Sequence, residues 1–185
     1  MRRPSSMSVS VYLDGVPPDV ARQVLAGFMH GHAEVYEFQG PHHFFRMGGW
    51  DGHGKPVRDL GAWWIDRDEL DVLMARNGLA FSRNLDQRLS ATRDLFLQHG
   101  EAYRAGVAVS RDWNTGVKAH ELRIPPGAAA RGLVGSTTPQ PVFSPKSPHH
   151  DATVLLPGGL TQIFFRARDL GRDWLTGNLY RMVSG

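Results

Sequence analysis

The sequence predicts an α+β fold, a curved and mostly antiparallel sheet with two or three helices in the N-terminal half. Three observations carry this expectation. Apolar residues keep helical spacing early in the chain, at Val20, Val24, Leu25 and Phe28 and again at Leu70, Leu73 and Met74, whereas from Tyr103 onward the pattern switches to period two. Helices and strands are thus segregated rather than alternating, which argues against a parallel doubly wound sheet. A chain of 185 residues, 41% of them hydrophobic and none of them cysteine, can bury one core without disulfides.

Taken in order, the first seven residues are basic and polar and are expected to form a disordered tail, leaving residues 8–185 as a single domain. Val9–Leu13 alternates like a strand. Pro17-Pro18-Asp19 then opens a helix, with Asp19 favourable in its first turn. Glu34–Phe38 and His42–Met47 are short and aromatic-rich, and Gly40-Pro41 between them suggests a hairpin or two sequential strands. A glycine-rich loop, Gly48–Pro56, follows. After Trp63-Trp64-Ile65, Asp66 is a good N-cap with Glu69 at capping-box spacing, opening a helix that stops at Asn77-Gly78. A further helix is expected over Leu85–His99. Beyond it come short strands at Tyr103–Ser110, His120–Ile124, Gly132–Ser136, Thr153–Leu156, Gln162–Arg166 and Leu179–Val183, with a long loop at Pro139–Ala152.

Composition removes several function classes. The net charge of +3 is modest and arginine outnumbers lysine 18 to 3, but the arginines are scattered among acids, so nucleic-acid binding is not argued by charge. No stretch approaches the apolar length of a membrane span, and the N-terminus is too polar for a signal-peptide core; a cytoplasmic location in the producer, or delivery to a target-cell cytosol, is the expectation. The nine histidines include His42-His43 and His149-His150, yet none has metal-ligand spacing, and neighbours on a strand point to opposite faces, so no metal site is expected. GxSxG, GxGxxG and P-loop motifs are missing.

What remains is a set of three features. Phe44-Phe45-Arg46-Met47-Gly48-Gly49 places an arginine at the lip of a glycine loop, where a guanidinium and backbone amides could grip a pyrophosphate. Trp63-Trp64 would set one ring in the core and the other in a cleft, able to stack on a flat base. Pro157-Gly158-Gly159-Leu160-Thr161-Gln162 is a tight corner feeding a strand, with one amide held beside a place where the backbone can approach a ligand.

The succession from Arg46 through Trp63-Trp64, Ser110-Arg111-Asp112-Trp113-Asn114, Pro125-Pro126-Gly127, Gly132–Gly135 and Thr138-Pro139-Gln140 to Gly158-Gly159-x-x-Gln162 resembles the ADP-ribosyltransferase-like toxin superfamily, most nearly its necrotizing-toxin type of NAD glycohydrolase. The resemblance implies that fold, NAD as substrate, and cleavage of the nicotinamide–ribose bond by hydrolysis or ADP-ribosyl transfer. It implies Gln162 as the catalytic position, Arg46 on the NAD phosphates, and Gly48, Gly49 and Gln140 around the cofactor. Trp63 or Trp64 would line the nicotinamide pocket, and Ser136 or Ser110 would take the place of a strand serine. Implied partners are a cognate immunity protein and, for transfer, a protein or nucleic-acid acceptor. The sequence departs from the pattern in its stretched Pro139–Pro157 segment and in lacking a second acid on the Gln162 strand, which favours hydrolysis. Two other readings stay open: an RNase-like toxin using His43 and His150 as acid and base, and a non-catalytic interaction module.

Overall fold

The computed structural model describes residues 2–48, 63–76, 101, 103–111 and 118–181. Among them it shows an α+β molecule with few helices and a mostly antiparallel sheet. The strands are β1 (Arg2–Pro4), β2 (Glu34–Gln39), β3 (His42–Gly48), β4 (Trp63–Asp66), β5 (Lys118–Ile124), β6 (Ala129–Ser136), β7 (Gln140–Pro141), β8 (Leu155–Leu156), β9 (Thr161–Phe164) and β10 (Leu175–Arg181). The helices are α1 (Val9–Tyr12), α2 (Pro18–Ala26) and α3 (Arg67–Arg76).

Eight strands form one sheet in the order β1-β2-β6-β9-β4-β3-β5-β10, and β7 and β8 pair separately. The short strand β4 joins its halves. Trp63 and Trp64 pair with Phe164 and Ile163 of β9, whereas Ile65 and Asp66 pair with Phe45 and Phe44 of β3. Each half of β4 therefore serves a different neighbour. β2 and β3 are sequential strands and not a hairpin: β2 pairs with β1 and β6, β3 with β4 and β5.

The alternation of side chains divides the core between the two faces. On one face Phe38, Phe44, Trp64, Leu122, Ile124, Ile163 and Phe165 form a cluster drawn from both halves of the sheet. Phe38, Phe44 and Phe165 meet edge to face at 5.0–5.6 Å, a favoured aromatic geometry. On the other face Val35, Leu133 and Phe164 pack under α1 and α2 through Tyr12, Leu13, Val24 and Phe28.

Several elements differ from the sequence expectation. Arg2–Pro4, expected within a disordered tail, pairs with Tyr36–Phe38 as an exposed edge strand. Val9–Leu13 begins a helix and not a strand: Ser8 Oγ accepts the Val11 N–H at 3.3 Å as an N-cap, and the buried residues are Tyr12 and Leu13 while Val11 is exposed. Residues 103–107 are helical rather than extended, with Tyr103 and Val107 buried one turn apart. Gly106 lets this helix pack closely on Leu160, because a Cβ there would stand 2.4 Å from Leu160 Cδ1. The Pro139–Ala152 segment contains β7, which pairs with the shortened β8. The expected Leu85–His99 helix lies outside the described residues.

Candidate functional site

The site grows from the α2 face of the sheet. Gln162 is the second residue of β9 and, two positions before Phe164, shares its face, while Ile163 and Phe165 point into the opposite core. Register carries this across the ladder: Trp63 stands opposite Phe164, and Trp64 opposite Ile163. Trp63 consequently faces α2 and Trp64 is buried completely in the other core. Trp64 therefore lines no cleft, and of the two tryptophans it is Trp63 that can meet a ligand. Arg46 follows the last β3 residue paired with β4.

These side chains line one cavity of about 580 Å³, to which Arg46, Trp63, Gln140 and Gln162 all contribute. The volume lies within the range of small-molecule sites. α2 supplies one wall through Val20, Gln23, Val24 and Ala26, continued by its C-cap Gly27; Tyr103, Val107 and Ala108 supply another, and Thr138 and Phe164 also line the cavity. The surroundings are mostly apolar, with three amides, two hydroxyls and one guanidinium.

Two polar atoms at this cavity are buried without a hydrogen-bond partner among the described residues: Arg46 Nη1 and Thr138 Oγ1. Leaving such a donor unmet costs about 1–3 kcal/mol, more for a charged group. Burial pulls the Arg46 guanidinium below its ordinary pKa, partly countered by Tyr103, so a group that carries negative charge would relieve it. Gln162, also at this cavity, is only 6% exposed. No carboxylate is among the described lining residues.

The aromatic wall is held rigidly. Trp63 meets Phe28 at 5.1 Å and Phe164 at 5.3 Å between ring centroids. Gly27 backs it so closely that a Cβ would stand 2.9 Å from Trp63 Cη2.

The glycine corner serves the scaffold. Gly158 and Gly159 have φ of 66° and 88°, the left-handed region that favours glycine. Their amides are occupied: Gly158 N–H donates to Ala105 O, Gly159 N–H to Thr137 O, and Leu160 N–H to Gly106 O, at 2.9–3.2 Å. The corner thus approaches the 103–107 helix and Thr137, in place of the ligand its glycines suggested, and so fixes where β9 starts.

Other sequence candidates fall elsewhere. Ser136 is exposed on β6 and does not contribute to the cavity lining. Ser110 is buried and donates to Pro141 O at 2.8 Å, anchoring the strand that carries Gln140. Gly48 ends β3 opposite Lys118; Gly49 lies outside the described residues. His42 and His43 point to opposite faces, His42 to Asp66 at 2.7 Å and His43 to Glu121 at 2.5 Å, while His150 bonds to Phe143 O in its own loop. The histidines therefore have separate structural partners. Among the described residues no cluster of three or more His, Asp or Glu could hold a metal ion, and no helix is long and apolar enough to cross a membrane.

The sequence reading missed Gln23, Tyr103 and Thr138. A signal existed for Gln23: it stands among Val20, Val24 and Gly27 at helical spacing, which places a polar group on the helix face that carries the apolar stripe. Thr138 could not have been found without the fold. Comparisons of the chain with family models, with curated proteins and with solved structures return no match.

Proposed function

We propose that this cavity binds NAD and that the protein is an NAD-consuming enzyme of the ADP-ribosyltransferase-like kind, opening the nicotinamide–ribose bond chiefly to water. The observation that carries the reading is the convergence of Arg46, Trp63 and Gln162, from three separate strands, on one cavity. The mostly antiparallel α+β architecture is compatible with it.

Each group suits one part of the dinucleotide. The unmatched Arg46 Nη1 pairs with a pyrophosphate oxygen, a charge-assisted bond about twice as strong as a neutral one. The locked Trp63 ring offers a flat apolar surface to nicotinamide. The Gln162 carboxamide, able both to donate and to accept, holds the hydroxyls of the nicotinamide ribose. In the reaction the bond between ribose C1′ and the nicotinamide nitrogen breaks, and its electron pair neutralises the positive pyridinium. Water adds to C1′ and gives up a proton, leaving nicotinamide and ADP-ribose. Gln162 contributes orientation and a dipole rather than a full negative charge. With no carboxylate among the described lining residues to activate a protein or nucleic-acid acceptor, water is the acceptor the lining favours.

Binding is tested by melting the protein with and without NAD. At a hundred times its dissociation constant a ligand stabilises the folded state by about 2.7 kcal/mol, a rise of roughly 5–10 °C for a chain of this size. The rise is expected in the native protein and is expected to vanish in Arg46→Ala. A native protein whose melting does not respond to millimolar NAD would overturn the assignment.

A further inference from the structure

We infer that Glu69 is a positioning residue for Gln162, an inference that rests on reading the cavity as the NAD site. The reason lies in how β4 divides its pairing. Its first half pairs with Ile163 and Phe164 of β9, and its second half turns to β3. The next two β9 residues, Gln162 and Thr161, pair with Gly135 and Ser136 of β6 on one side. On the other side β4 offers them no ladder partner. The Thr161 N–H on that side is met by a side chain: it donates to Glu69 Oε1 at 3.0 Å.

Glu69 stands in the first turn of α3. Its spacing from Asp66 suggested a capping box, in which Glu69 would reach back to the cap amide. Asp66 does cap, its Oδ1 accepting the Asp68 N–H at 3.2 Å. The Glu69 carboxylate instead crosses to β9 and takes the place of the missing strand. It does not line the cavity, so it acts through Thr161 and not on substrate. The corner fixes where β9 starts and β6 holds one of its sides; the Glu69 bond pins the residue immediately before Gln162 on the other side, where β4 supplies no ladder bond. Glu69 thereby sets the reach of Gln162 toward a ribose placed by Arg46 and Trp63.

Three variants of the full-length chain test this, with Glu69→Gln preserving the acceptor, Glu69→Asp withdrawing it by one methylene and Glu69→Ala removing it. A misplacement of about 1 Å can cost up to a hundredfold in rate; kcat for nicotinamide release is therefore expected to fall at least about tenfold in Glu69→Ala and Glu69→Asp. KM is expected to stay within about threefold, because Arg46 and Trp63 still bind NAD. Glu69→Gln is expected to retain kcat within about threefold, since its amide oxygen accepts the same N–H. Hydrogen exchange at the Thr161 amide supplies a readout independent of turnover: protection falls at least about tenfold in the Ala and Asp variants and survives in the Gln variant. If Glu69→Ala does not fold, the Asp and Gln variants decide. Native-like kcat and Thr161 protection in Glu69→Asp overturn the inference, as does a Glu69→Gln as impaired as the other two. A native protein that releases no nicotinamide sinks the NAD reading instead, and the exchange data then decide whether Glu69 anchors β9.

Discussion

At the scale of single residues, the cavity depends on side chains that are absent as much as on those present. Gly27 has no side chain, and the Trp63 ring occupies that space. Gly27→Ala pushes the indole into the cavity, and overpacking of this kind costs about 1–3 kcal/mol. It is expected to weaken NAD binding severalfold with little change in kcat, read as a rise in KM; an unchanged KM would mean that the ring does not meet the ligand. Ala108 is the reverse case. It ends the 103–107 helix with φ of 49° while Val109 N–H donates to Arg104 O, the position where helices usually place glycine. Ala108→Gly is expected to stabilise the protein by up to about 1 kcal/mol, and denaturant melts showing a loss would argue against strain there. The places of Arg46 and Gln162, each on a strand beside glycines, were legible in the sequence; that both line one cavity was not. The choice between Trp63 and Trp64 was not, since alternation says that two neighbours face apart but only register says which faces where.

At the scale of elements, sequence succeeded where one period dominated and failed where two fitted equally. α2 was legible from Pro18, Asp19 and a clean apolar stripe. Val9-x-Val11-x-Leu13 also alternates, but the Ser8 cap and the burial of Tyr12 make it helical. Tyr12 is the reason: its hydroxyl donates to Arg131 O at 2.9 Å and accepts the Arg166 N–H at 3.2 Å, tying α1 across the sheet. Residues 103–109 fit both periods as well; 103–107 are helical, and Gly106 lets that helix pack closely on Leu160. The junction of β3, β4 and α3 carries a pH dependence. Burial works against ionised Asp66, yet the hydrogen bond and electrostatic pull of His42, with the Asp68 N–H, together hold its carboxyl below the usual range. A folded-state pKa below the unfolded one contributes stability above the unfolded value of about 3.9 and loses it as pH falls through the folded pKa. Asp66→Asn is therefore expected to be destabilised by about 1–2 kcal/mol at neutral pH, with the difference from native closing below about pH 3. A difference that persists unchanged at pH 2 would exclude the carboxylate as its source.

At the scale of the whole molecule, the segregation of helices and strands made the α+β class legible, because the apolar pattern changes from helical spacing to period two along the chain. The order of the strands was not legible. Nothing in Trp63–Asp66 announces that four residues serve two neighbours, yet that division leaves β9 short of a partner, brings β3 and β9 to the same strand, and puts Arg46 and Gln162 on one cavity. If the cavity consumes NAD, as proposed, release of nicotinamide reports it most directly. Purified protein is expected to convert NAD to nicotinamide and ADP-ribose. Gln162→Ala, which keeps Arg46 and Trp63, is expected to lose at least about a hundredfold in kcat, the scale of removing one preorganised polar group at the reacting centre. Native protein that leaves NAD intact, or a Gln162→Ala variant that releases nicotinamide at the native rate, would contradict the account.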